Sequence, residues 1–126
     1  MRYMLLLYNE ALGPGDVTPE LWQDAIRAHT NFTRALQEAG AYVSSAPLQP
    51  VETAKTVRLK RREQLVTDGP FAETKEQLGG YYLIEADSLD AAVAWAHELE
   101  PVADGSIEVR PVMEHIAVDS PPSRSS

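Results

Sequence analysis

The chain has 126 residues, 44% of them hydrophobic and 24% charged, which is the balance of a soluble globular domain with one core. Nineteen acidic residues outnumber eleven basic ones, and the net charge of −8 disfavours nucleic acid and anionic membrane surfaces as partners. The absence of cysteine excludes disulfides, thiolate nucleophiles and cysteine-ligated metal centres.

In chain order, Arg2 to Tyr8 reads as a strand, with Tyr3, Leu5 and Leu7 on one face and Met4, Leu6 and Tyr8 on the other. A strand apolar on both faces belongs at the centre of a sheet covered on both sides. With helices on one side only, a second subunit's sheet is the simplest cover for the other, which predicts a homodimer. The apolar run at residues 1–7 is too short for a signal peptide or a membrane span, so a cytoplasmic location is expected. Asn9 to Val17, with Gly13-Pro14-Gly15, reads as a loop long enough to lie over a cleft.

Thr18 as N-cap, Pro19 at the first helical position and Glu20 in the first turn predict a helix to about Ala39, with Gly40 as its stop. Its expected apolar stripe is Trp22, Ile26, His29, Thr33 and Leu36, flanked by Ala25 and Phe32. A histidine in that stripe either bonds inside the core or looks into a cavity. Ala41 to Leu48 is a second strand. Thr53 to Lys60 and Gln64 to Thr67 form a hairpin, with Val57 and Leu59 expected inward and Lys60-Arg61-Arg62 near its tip. That basic run reads as a solvated turn rather than a phosphate site.

Thr67 to Ala86 is the densest stretch of local signals. Pro70 suits the second position of a turn, pushes Gly69 toward extended backbone, and leaves Asp68 to accept turn amides or to stand as a carboxylate at a pocket rim. Thr74 with Gln77 has capping-box spacing, which predicts one helical turn over Lys75 to Leu78, closed by a left-handed Gly79. Tyr81 to Ala86 then alternates as a strand. Ser88 caps a second helix with Leu89, Ala92, Val93, Ala96 and Leu99 as its apolar face and Trp95 at its edge. Ser106 to Val112 is the last strand, an edge strand because of Pro111. Glu108 and Arg110 share one of its faces, as an ion pair or with Arg110 free to grip a ligand carboxylate. Asp119 to Ser126 is polar and proline-rich and is expected to be a disordered tail after a single domain at residues 1–118.

The order strand, helix, strand, hairpin, strand, helix, strand is a ferredoxin-like split βαβ plan of the α+β class with an added hairpin. His29, His97 and His115 lie on separate elements without metal-ligand spacing, and no nucleotide fingerprint occurs, so neither a metal nor a cofactor is expected.

The run Val66-Thr67-Asp68-Gly69-Pro70-Phe71-Ala72-Glu73-Thr74-Lys75-Glu76, with Leu78-Gly79-Gly80-Tyr81-Tyr82 after it, resembles the signature of the DGPF branch of the YCII-related proteins. Tyr3 to Tyr8 and Ile107 to Val112 resemble the same branch. The resemblance implies a dimeric α+β barrel type of ferredoxin-like fold, in a family whose biochemical role is mostly unassigned. In other YCII-related proteins a helix histidine eleven residues before the terminating glycine pairs with an aspartate as an active site. His29 stands at that distance from Gly40, although Arg27-Ala28-His29 replaces the relatives' Arg-Pro-x-His.

The expected site is therefore a small-molecule pocket with His29 and Asp68 as its catalytic pair. Tyr8, Gly69, Pro70, Phe71, Tyr82 and Arg110 are expected to contact a small carboxylated ligand. The chemistry would be acid/base work of the isomerase or dehydrochlorinase-like lyase kind, which the enzymatic relatives resemble. The alternative is a non-catalytic regulatory or interaction module, since DGPF proteins are commonly encoded near alternative sigma factors.

Overall fold

The computed structural model describes residues 1–10, 16–60, 63–70, 75–99 and 104–113. The Gly13-Pro14-Gly15 loop, the Arg61-Arg62 tip, Phe71, the Thr74 cap, His115 and the tail at 119–126 lie outside the described residues.

Among the described residues, six strands and two α-helices follow in the order β1 (Arg2–Glu10), α1 (Pro19–Glu38), β2 (Tyr42–Pro47), β3 (Lys55–Lys60), β4 (Glu63–Asp68), β5 (Glu76–Glu85), α2 (Leu89–Glu98) and β6 (Gly105–Pro111). Four strands form an antiparallel sheet in the order β2-β5-β1-β6, and β3-β4 form a separate two-stranded sheet. This is the expected split βαβ arrangement, in which the doubly apolar β1 is central and the proline-ended β6 lies at an edge. No described helix is long and apolar enough to cross a membrane.

The helix ends follow their local chemistry. Thr18 Oγ1 accepts from the Leu21 amide at 3.1 Å, and Ser88 Oγ accepts from the Ala91 amide at 3.1 Å. Gly40 takes a left-handed φ of 70° just past the C-cap Ala39, and the Ala41 amide returns to the Leu36 carbonyl at 2.8 Å.

The core joins Tyr3, Leu5 and Leu7 of β1, Tyr82 and Ile84 of β5, Phe32 and Leu36 of α1, and Ala92 of α2. Phe32 sits edge-on to Tyr82 at 4.9 Å and to Trp95 at 6.3 Å, so Trp95 closes the core's rim as expected. The buried stripe of α1 is Ala28, Phe32 and Leu36, rotated from the expected one. Trp22 and Ile26 are instead 59% and 50% exposed. Both stripes are apolar in the sequence, and only packing on the sheet distinguishes them.

Two further expectations are corrected. Residues from Glu76 onward form strand rather than a helical turn, because Glu76, Gln77 and Leu78 pair with Glu10, Asn9 and Tyr8 of an extended β1. Lys75 Nζ reinforces that start at 3.1 Å from the Glu10 carboxylate. An isolated helical turn gains too few hydrogen bonds to compete with such a ladder. Gly79 accordingly lies within β5, beside a register irregularity, rather than in a left-handed cap. Gly80 is needed for closeness: a Cβ there would lie 2.9 Å from the Ala46 carbonyl oxygen on β2.

Val57 and Leu59 do not point into a core. They are 51% and 77% exposed, on a hairpin that stands beside the main sheet.

Candidate functional site

A cavity of about 690 Å³ lies between one flank of α1 and the adjoining strands β1, β2 and β5. Its size is that of a small-molecule site. Helical spacing explains the α1 wall. Trp22, Ile26, His29, Thr33 and Gln37 recur every three or four residues, so they form one face. That is the exposed side of the expected apolar stripe, which lines a hollow here instead of filling the core. The opposite wall comes from Leu7, Asn9, Ser45, Pro47, Gly79, Gly80 and Tyr82.

His29 and Tyr82 meet in this cavity. His29 Nδ1 lies 2.7 Å from Tyr82 Oη, and the two rings are stacked at 5.8 Å with an interplanar angle of 8°. Tyr82 is buried, and its ring is fixed by Phe32. Burial pushes the His29 imidazole below its ordinary pKa, because the charged form loses solvation. Burial likewise raises the Tyr82 phenol, opposed in part by the Thr33 hydroxyl. At neutral pH the pair is therefore a neutral imidazole beside a neutral phenol. If Nδ1 carries the proton and donates it to Tyr82 Oη, the Nε2 lone pair is free for a ligand.

The lowered pKa has a consequence for stability. Below the usual imidazole value of about 6.5, the unfolded chain binds a proton that folded His29 resists, so stability falls as pH drops through that range. Urea midpoints between pH 7 and 5 should decline in the wild type, and His29→Gln should remove part of that decline. An equal decline in both proteins would contradict the burial of the imidazole.

Of the described site residues singled out in the sequence, the structure brings His29 and Tyr82 together in the cavity. Asp68 ends β4 on the separate hairpin, is 90% exposed, and has its Oδ1 3.5 Å from Lys55 Nζ. No hydrogen bond joins it to His29 within the protomer. Gly69 is at φ 94° rather than ordinary extended backbone, and its amide bonds the Ala54 carbonyl at 2.6 Å. Gly69 and Pro70 are thus part of the hairpin base and do not line the cavity. Phe71 lies outside the described residues.

Tyr8 and Arg110 lie on the sheet face away from the cavity. Tyr8 Oη is 3.4 Å from Glu108 Oε1, and Arg110 Nε donates to Glu108 Oε2 at 3.0 Å. Arg110 is accordingly occupied by the expected ion pair. Among the cavity residues that sequence reasoning missed are the polar Asn9, Thr30, Arg34, Gln37 and Ser45. A polar Thr30-Arg34 pair and a Thr33-Gln37 pair, each four apart, were the available signal.

The YCII-related domain matches residues 1–116 of the chain. The uncharacterized protein R00369 of Rhizobium meliloti (strain 1021) is 40% identical over 114 residues, which cover 89% of this chain and 92% of that one.

Proposed function

The chain belongs to the YCII-related family, and on that premise we propose that the cavity is an acid/base site for a small molecule, with His29 as the base. The observation that carries this reading is the 2.7 Å contact of a half-buried imidazole with Tyr82 at the wall of the cavity. Tyr82 takes the orienting place expected of Asp68. It holds the ring through Nδ1 and directs Nε2 to a bound ligand. A neutral phenol does not stabilise an imidazolium as a carboxylate would, so the base stays unprotonated at neutral pH.

The reaction class that suits one neutral base in a mostly apolar hollow is proton removal from carbon beside a carbonyl group. His29 Nε2 takes the proton and the C–H electron pair enters the conjugated system. Return of the proton at another carbon gives isomerisation; departure of a leaving group with an electron pair gives elimination. The test is deuterium incorporation, followed by NMR, into enolisable ketones and unsaturated lactones incubated with the protein in D2O. Exchange above the buffer rate supports the reading. Ligand binding without exchange favours the non-catalytic regulatory module.

The second face of the sheet supports a homodimer in the same proposal. Across the four strands, Ser44, Leu83, Met4 and Arg110 form one row, and Ala46, Tyr81, Leu6 and Glu108 the next. Neither helix covers these positions, whose centre is apolar, and a second copy would bury them. Light scattering should give twice the protomer mass at micromolar concentration, and Leu6→Glu should give a monomer by burying an unpaired charge. A wild-type monomer would remove the dimer from the proposal.

A further inference from the structure

We propose that the ligand of this cavity carries a carboxylate, and that Arg34 is its anchor. This rests on the cavity being a ligand site, as proposed above, but not on His29 being a base. Among the described residues that line the cavity there is no Asp or Glu, and Arg34 contributes the permanent positive charge. That contrasts with the chain as a whole, where nineteen acidic residues outnumber eleven basic ones. Other arginines are held by acidic partners: Arg2 by Glu85, Arg27 by Asp24 and Arg110 by Glu108. Among the described residues none forms a hydrogen bond or ion pair with the Arg34 guanidinium.

Its neighbours suit the role. Thr30 and Gln37 lie four residues before and three after Arg34, so their hydroxyl and carboxamide stand beside the guanidinium on the helix surface. Together they offer a planar two-pronged donor with neutral donors at its flanks, the arrangement that carboxylates select. His29 is five residues earlier, roughly 7–8 Å along the helix axis. Helical side chains lean toward the N-terminus, which brings the Arg34 head back toward Thr30 at one margin of the cavity, with His29 on the other side of the same wall. A carboxylate held there would leave the carbon skeleton inside the cavity, directed toward Ile26.

The experiment uses matched probes: phenylacetate against phenylacetamide, and hexanoate against hexanamide, with binding read by ligand-observed NMR. Each acid should bind roughly tenfold or more tightly than its amide, the scale of a charge-assisted hydrogen bond. Arg34→Gln should erase that preference and Arg34→Lys should keep part of it. Amides binding as well as acids, neither probe binding, or a preference unchanged in Arg34→Gln would overturn the inference. Deuterium exchange separates the two readings. Acid preference without exchange sinks the base and leaves the anchor, and exchange without acid preference does the reverse.

Discussion

His29→Ala will slow carbon-acid deuterium exchange by about 10²–10⁴-fold, the range attributable to a positioned general base. The substitution removes the only imidazole among the described residues of the cavity and leaves Tyr82 Oη without its 2.7 Å partner. Tyr82→Phe separates the two contributions. It keeps the ring packed against Phe32 and removes the hydroxyl that fixes the imidazole, so its loss should be smaller than that of His29→Ala. Asp68→Asn serves as the comparison. Its carboxylate faces Lys55 on the hairpin, and exchange should persist if the protomer alone forms the site. A large loss in Asp68→Asn with His29→Ala still active would return the chemistry to the aspartate. Equal exchange in wild type and His29→Ala would end the acid/base reading.

Leu36→Ala is expected to destabilise the protein by about 2–5 kcal/mol, from lost burial plus the cavity left behind. Leu36 is fully buried where α1 meets the sheet, and its carbonyl also receives the Ala41 amide beyond the helix end. That loss is a large fraction of a typical domain stability of about 5–15 kcal/mol. Ile26→Ala, a comparable truncation ten residues earlier, should matter far less because Ile26 is 50% exposed. Urea denaturation of both variants checks the contrast. Similar midpoints would mean that the apolar stripe of α1 is the one expected from periodicity, with Ile26 inside.

That contrast shows where local pattern suffices. Thr18, Ser88 and Gly40 each act through neighbours within a few residues, so both helices were legible to within a residue or two. The double apolarity of β1 correctly indicated a central strand. Periodicity could not say whether Trp22 and Ile26 fill a core or wall a hollow, since both environments favour apolar side chains. Nor could the spacing of Thr74 and Gln77 reveal that β1 would extend to Glu10 and pair with Glu76. Alternation put Tyr82 on the right face, but its meeting with His29, 53 residues away, depends on how α1 docks. Asp68 was misplaced for a related reason. The paired β3 and β4 carry it onto a hairpin of its own, which local turn chemistry does not disclose.

The central position of β1 also sets a timetable for the nascent chain. Both of its neighbours arrive late: Tyr8 pairs with Leu78 and with Ser106, about 70 and 100 residues downstream. At translation speeds of about 5–20 residues per second, the longer delay lasts roughly 5–20 s, during which an apolar segment has emerged without its full set of lateral partners. Synonymous codon changes between the two segments that slow elongation should therefore increase aggregation during synthesis while leaving the purified protein unaltered.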